Sequence, residues 1–160
     1  MTPVAPRLLR EPVHFFALGF GSGLVPKAPG TAGTVVGVLL DPLLRLLGPE
    51  LRILVVILMF AAGIWLCGES ARRLGVHDHS AIVWDEIVGY LALMLLLPAG
   101  WPWALAGFVV FRFFDIVKPW PIRQLDHGVG GGLGIMLDDI MAAAWGAVVL
   151  LGFGALLGTT

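Results

Sequence analysis

The sequence predicts an all-α integral membrane protein, a bundle of about five membrane-embedded helices with a polar site at its cytoplasmic face. Composition is one reason, because the 160 residues are 58% hydrophobic and only 13% charged, whereas soluble domains carry about 25% charged residues. The mean hydropathy of +0.93 is a second reason. The third is that the apolar residues form long runs, as membrane spans do. The length suits one domain, residues 1–160, with residues 1–14 as a cytoplasmic lead-in.

Composition also excludes several classes of protein. The net charge is -1 and no basic stripe is present, which argues against nucleic acid as a partner. The single cysteine, Cys67, excludes a disulfide framework within the chain and a metal centre built from thiolates. The partner that the composition does predict is the lipid bilayer.

Apolar runs mark the predicted helices in order. The first two are Gly33–Leu47 and Ile53–Cys67. The next run is interrupted by "PAGWP", whose proline and glycine residues predict a tight turn, so Ile87–Leu97 and Trp101–Val117 are separate helices. Ile135–Leu157 is the fifth. Several are shorter than the roughly 20 residues that cross the hydrocarbon core, so we expect their charged ends to lie near membrane depth.

Lysine and arginine predict the orientation of these helices. Arg45 and Arg52 fall at one end of the predicted bundle, with Arg52 in the loop "GPELR". Because basic residues favour the cytoplasmic side, the N-terminus is predicted to be cytoplasmic and the C-terminus external. Eight basic residues then lie at the inner face: Arg7, Arg10, Lys27, Arg72, Arg73, Arg112, Lys118 and Arg123.

Acidic residues gather at the same face under this topology. A basic excess on the inner side is expected of any membrane protein, but a matching number of acids is not. Their convergence from the ends of several helices indicates a functional site. These acids are Glu69, Asp78, Asp85, Glu86, Asp115, Asp126, Asp138 and Asp139.

Some of these acids have a simpler structural explanation. Carboxylates in the first turn of a helix are stabilised by its dipole and its unpaired N–H groups, which would explain Asp85, Glu86, Asp138 and Asp139. Asp115 ends its predicted helix, where the dipole disfavours an anion, so its local alternative is an ion pair with a flanking cation three residues away.

A divalent cation would hold several carboxylates together beside apolar surface. Oxygen ligands without a cysteine pair favour Mg2+ over zinc. The four histidines, His14, His77, His79 and His127, form no ligand pattern.

The segment "VPKAPGTAGT" has the composition of a phosphate-binding loop. Lys27 supplies a cation, Gly30 and Gly33 permit close approach of the backbone, and Thr31 and Thr34 supply hydroxyls before the first span. A turn capped by a hydroxyl is the structural alternative. A second glycine-rich segment, "GVGGGLGIMLDD", is either a linker or a loop that contacts a ligand. Together, a metal, cations for a phosphate and a membrane surface suit a lipid phosphate as the substrate.

Four motifs resemble one known family. "PKAPGTAGT", "IVWDEIVGY", "FRFFDIVKPWPI" and "GIMLDDIMA" occur in the order and approximate spacing of the phosphatidylglycerophosphatase A family, from about Phe15 to the last helix. The resemblance implies an all-helical, Mg2+-dependent enzyme of the bacterial inner membrane. It also implies hydrolysis of the terminal phosphate of phosphatidylglycerophosphate to phosphatidylglycerol and inorganic phosphate, at an active site that faces the cytoplasm.

Site residues follow from the motifs and the residue chemistry together. The resemblance implicates Lys27, Thr31, Thr34, Lys118 and the five acids, while Gly30, Gly33 and Arg112 are added from their chemistry. The predicted catalytic and metal-binding residues are Asp85, Glu86, Asp115, Asp138 and Asp139. The predicted phosphate-binding residues are Lys27, Gly30, Thr31, Gly33, Thr34, Arg112 and Lys118. The nucleophile is either a water or a carboxylate, Asp85 or Asp138.

Two other functions compete with the enzyme. A small transporter or channel would use the acidic cluster as a cation or proton site, and a non-catalytic subunit would use the polar face to bind partners. The middles of the predicted spans look free of charge, which favours the enzyme over the transporter. The oligomeric state is left open, since the Gly/Ala-rich "AAAWGAVVLLGFGALLG" suits packing within or between chains.

Overall fold

The computed structural model describes residues 5–76, 79–120, 122 and 129–158, and every regular element in these ranges is helical. This confirms the predicted all-α class. Short 3-10 helices occupy Pro6–Arg10, Gly19–Leu24 and Arg45–Leu47. The α-helices are α1 Pro12–Ala17, α2 Pro29–Leu44, α3 Pro49–Leu74, α4 Trp84–Leu96, α5 Trp101–Val117 and α6 Gly131–Leu157.

Helix α4 is the centre of the bundle. It packs against α2, α3, α5 and α6, and most of its side chains are buried, with Ile87, Val88 and Tyr90 fully inaccessible. The surrounding helices instead expose large apolar side chains, such as Leu39 and Ile57. An apolar outer surface around a buried central helix suits a protein surrounded by lipid tails.

Three helical segments are long and apolar enough to cross a membrane: Pro29–Leu47, Pro49–Leu74 and Gly131–Leu156. Helix α4 has 13 residues and α5 has 17, which is less than the roughly 20 residues of a full span. The turn predicted at "PAGWP" is confirmed, because α4 ends at Leu96 and α5 begins at Trp101. The total of five membrane-embedded helices stays a prediction.

Four helices, α2, α3, α4 and α6, begin three or four residues before their predicted apolar runs. Helix α2 begins at Pro29, after Ala28 adopts a left-handed φ of 54°, and proline suits the first position of a helix. Helix α6 begins at Gly131, so part of the second glycine-rich segment is helical rather than a linker. Close packing explains the glycine there, because a Cβ on Gly132 would lie 1.8 Å from the Ile64 carbonyl oxygen of α3.

The N-terminal segment packs against the bundle close to α4. The buried His14 ring contacts the Ser70 hydroxyl of α3 at 2.9 Å, and the backbone N–H of Val83 donates to the Ala17 carbonyl at 2.9 Å. Burial lowers the pKa of His14 and keeps its imidazole neutral. This segment therefore fixes the residue that immediately precedes α4.

A buried ion-pair network lies at the C-terminal end of α4, and it includes Asp41, an acid inside the predicted span Gly33–Leu47. Asp41 of α2 is buried and accepts hydrogen bonds of 2.7 Å from both Arg45 and Arg52. Arg52 lies in the first turn of α3 rather than in a loop, and it also donates to the Met94 carbonyl of α4 at 2.6 Å. The expectation of uncharged mid-spans was therefore wrong. Arginines at this position stabilise the unpaired carbonyls at the end of α4.

The Asp41→Asn variant is expected to lose about 3 kcal/mol of stability, because it leaves two arginines without their buried counter-charge. Equilibrium unfolding in mixed detergent micelles measures this loss. Glu50→Gln is the matched control, since Glu50 is an exposed carboxylate at the start of α3. Equal stability of Asp41→Asn and the control would show that the network contributes little.

Candidate active site

Three carboxylates converge at the N-terminal end of α4. Asp85 and Glu86 lie in the first turn of α4, and Asp139 approaches from α6. One oxygen from each of the three lies within 4.8 Å of the other two. Asp85 and Asp139 are buried, and Glu86 is half-buried. The structure thus brings together three of the five acids predicted as metal ligands.

The cluster has unsatisfied acceptors. Within the described part of the chain, Glu86 Oε2 and Asp139 Oδ1 are buried and have no hydrogen-bond partner. Taking an ionised carboxylate out of water is costly unless a cation or donor meets it. In an octahedral Mg2+ site with ligands about 2.1 Å from the metal, opposite oxygens are about 4 Å apart. Neighbouring oxygens in such a site are about 3 Å apart. The three oxygens here lie within 4.8 Å of one another, a spacing of the same order, so the residues present fit one divalent cation.

The other two predicted acids flank the cluster, each bonded to a cation. Asp115 of α5 accepts a hydrogen bond from Arg112 and lies near Asp139. Asp138 of α6 accepts a hydrogen bond from Lys118, which follows α5 with a left-handed φ of 45°. The local ion pair considered for Asp115 is therefore present, and it lies directly beside the cluster.

Helix capping no longer explains two of these acids. Because α6 begins at Gly131, no acid lies in its first turn, and Asp138 and Asp139 fall in its second and third turns. Asp85 and Glu86 remain in the first turn of α4, where the helix dipole favours them.

Two glycines allow the helices to meet at the cluster. A Cβ on Gly30 of α2 would lie 2.2 Å from Glu86 Oε1 and 2.9 Å from Arg112 Nη1. A Cβ on Gly89 of α4 would lie 2.8 Å from the Asp139 Cβ. Gly89 was not among the predicted site residues; its signal was a glycine inside an apolar run, which indicates a close helix crossing.

The predicted phosphate-binding residues divide into two groups. Arg112 lies at the cluster, with Nη1 3.7 Å from Glu86 Oε1, and Thr31 is half-buried in the first turn of α2. Lys27 is exposed in the loop before α2. Thr34 and Gly33 do not reach the carboxylates: the buried Thr34 hydroxyl donates to the Gly30 carbonyl at 2.9 Å, and Gly33 packs against Val83. Because α2 begins at Pro29, both residues lie inside the helix and not in the loop before it, and they serve in packing.

Other charged residues assigned to the predicted inner face pair with one another. Glu69 pairs with Arg72 and Arg73 at 2.7 Å, and Arg73 also pairs with Glu11. Several residues considered in the sequence lie outside the described ranges: His77, Asp78, Arg123, Asp126 and His127.

Comparison with known proteins decides the family. A sequence model described as "Phosphatidylglycerophosphatase A" matches residues 15–153. The chain belongs to the phosphatidylglycerophosphatase A family. This confirms the resemblance found in the four motifs, and every predicted site residue lies inside the matched range.

Curated relatives cover nearly the whole chain. A Haemophilus influenzae protein named "Phosphatidylglycerophosphatase A" is 45% identical over 153 residues, which is 92% of each chain. An Escherichia coli protein of the same name is 46% identical over 147 residues, 91% of this chain and 86% of that one. A Bacteroides thetaiotaomicron protein, "Putative phosphatidylinositol-3-phosphatase", is 37% identical over 140 residues, 82% of this chain and 87% of that one. No solved structure gives a significant match.

Proposed function

We propose that this chain is a phosphatase of phospholipid biosynthesis that removes the terminal phosphate of phosphatidylglycerophosphate, releasing phosphatidylglycerol and inorganic phosphate. Membership of the phosphatidylglycerophosphatase A family supports this activity. The observation that supports it most strongly is the convergence of Asp85, Glu86 and Asp139 beside Arg112 at one end of an apolar bundle. The proposed location is the bacterial inner membrane, with this end facing the cytoplasm.

The charge of the site requires a cation in addition to the side chains. Five acids face only two cations in the described site, Arg112 and Lys118, each already bonded to a carboxylate. A phosphate dianion would be repelled by this excess of negative charge. Five carboxylates and two cations leave an excess of three negative charges. Mg2+ held by Asp85, Glu86 and Asp139 would reduce this excess to one, and it would supply charge neutralisation and a water of lowered pKa.

The chain's own groups bind and orient the phosphate. Arg112 presents a guanidinium suited to two parallel hydrogen bonds to phosphate oxygens. Backbone N–H groups at the start of α2, those of Gly30 and Thr31, have no acceptor within the helix and favour an anion. The Thr31 hydroxyl and Lys118 complete the set, with Lys27 at the entrance.

Hydrolysis requires a group that accepts a proton from the attacking water. A carboxylate of the cluster performs this role in the proposed mechanism, and phosphoryl transfer otherwise needs little beyond positioning and charge stabilisation. The alternative is a carboxylate nucleophile, Asp85 or Asp138. In a single turnover in water labelled with heavy oxygen, direct attack leaves label only in the released phosphate, whereas an acyl-phosphate can also leave label in the protein, when water attacks its carboxyl carbon. When water attacks its phosphorus instead, covalent phosphate retained on acid-quenched protein identifies the acyl-phosphate.

The test of the activity is phosphate release by the detergent-purified protein. We expect release from phosphatidylglycerophosphate with Mg2+ and loss of release in EDTA. Phosphatidylinositol 3-phosphate is the informative second substrate, because one relative carries the name of a phosphatase for that lipid. Absence of release from folded protein with either lipid would overturn the proposal, and the acids would then be tested as a cation pathway.

A further inference from the structure

We propose that the groove between α2 and α5 holds an acyl chain of the phospholipid substrate while its phosphate is hydrolysed. This inference rests on the proposed function and deepens it, since it assigns a site for the part of the substrate that does not react. The groove has a volume of about 390 Å³. Its lining is entirely apolar and consists of Val35, Val38, Trp101, Ala104, Leu105 and Phe108.

Helical register connects this groove to the phosphate-binding groups. On α2, Val35 and Val38 follow Thr31 by four and seven residues, so all three lie on one face of the helix. On α5, Phe108 and Leu105 precede Arg112 by four and seven residues and share its face in the same way. The apolar groove is therefore the outward continuation of the surface that presents Thr31 and Arg112.

The length of the groove along α2 and α5 matches the thickness of one membrane leaflet. At 1.5 Å per residue, Val38 lies about 12 Å along α2 from Gly30, and Trp101 lies about 16 Å along α5 from Arg112. Half of the hydrocarbon core is about 15 Å thick. A lipid whose phosphate lies between Thr31 and Arg112 would thus have its tail inside the groove over the full depth of its own leaflet.

Two other apolar grooves do not share this placement. One, of about 220 Å³, is lined by Val56, Ile57, Phe60, Ala92, Leu95 and Ile140. The other, of about 170 Å³, is lined by Met141, Ala144, Trp145 and Val148. They lie on α3, α4 and α6, which carry none of the predicted phosphate-binding residues. Ordinary bilayer lipid would cover all three grooves, whereas the bound substrate would select the one between α2 and α5.

A pair of tryptophan variants separates these cases. Val38→Trp fills the groove between α2 and α5, and Ile57→Trp fills the control groove on α3. With dioleoyl phosphatidylglycerophosphate, Val38→Trp is expected to raise KM about tenfold and to leave kcat unchanged. This loss of binding equals the contribution of roughly two buried methylene groups. With the dihexanoyl lipid, whose tails are too short to fill the groove, KM should change less than about twofold. Ile57→Trp should match wild type with both lipids.

Equal effects of the two variants on the dioleoyl lipid would overturn the inference, as would no effect of Val38→Trp in folded protein. Failure of the proposed function would look different, because wild type would then release no phosphate. Photo-crosslinking of wild type in Mg2+ gives a measurement that needs no variant, with a non-hydrolysable phosphonate analogue of phosphatidylglycerophosphate that carries a diazirine in its acyl chain as the probe. Labelling concentrated on α2 and α5 is expected, and equal labelling of all three grooves would contradict the proposal.

Discussion

Asp139→Asn is expected to lower phosphate release on the order of a thousandfold while leaving the fold intact. Asp139 is 2% exposed and contributes a buried oxygen without a partner in the described residues, so it suits a metal ligand and is costly without one. Asparagine keeps the shape and removes the charge. Glu50→Gln, which alters an exposed acid, should retain full activity.

Stability gives a second signature of the same variant. Wild type should gain stability on addition of Mg2+, since a ligand that binds only the folded state stabilises it. Asp139→Asn should show little of this gain, yet be at least as stable as wild type in EDTA, because one uncompensated buried charge is gone. An Asp139→Asn protein that keeps more than about a tenth of the activity, or that simply unfolds, would contradict the assignment.

Gly30→Ala is expected to lower phosphate release about a hundredfold with a small effect on folding. The new Cβ would lie 2.2 Å from Glu86 Oε1 and 2.9 Å from Arg112 Nη1, which are the ends of flexible side chains. Both groups must therefore move, and displacements of about 1 Å at a reacting centre cost about this much in rate.

The matched control for this variant is Gly152→Ala. Gly152 lies in α6, where an added Cβ meets nothing within 4 Å. It should retain wild-type activity and, with the better helix propensity of alanine, comparable or higher stability. Full activity of Gly30→Ala would show that Glu86 and Arg112 need not hold the positions seen here.

Hydrophobic patterning predicted the helices but not their ends. In the described part of the chain, the apolar runs located all five long helices, because apolar residues form long runs where a helix is buried in the bundle or in lipid. The starts of α2 and α6 were missed because glycine is a poor helix former in isolation. At Gly132 the contact with Ile64 of α3 outweighs that preference, and this contact is visible only in the folded bundle.

For the charged residues too, the sequence predicted what depends on neighbouring residues but not what depends on contacts between helices. Asp85, Glu86 and Asp139 could be selected from sequence because acids beside apolar runs are costly without a purpose. Asp41 was overlooked although Arg45 lies only four residues further along, because its second partner, Arg52, is supplied by another helix. Thr34 was selected for its hydroxyl, but that hydroxyl donates a hydrogen bond to the Gly30 carbonyl within its own helix.

Binding of Mn2+ measured together with phosphate release tests the central claim most directly. Mn2+ accepts the same oxygen ligands as Mg2+, and its electron paramagnetic resonance signal distinguishes free from bound ion. We expect Mn2+ binding and phosphate release to rise over the same range of Mn2+ concentration in wild type and in Glu50→Gln, and both to be lost in Asp139→Asn. Phosphate release by metal-free protein, or unchanged Mn2+ binding in an inactive Asp139→Asn variant, would contradict a metal centre built on Asp85, Glu86 and Asp139.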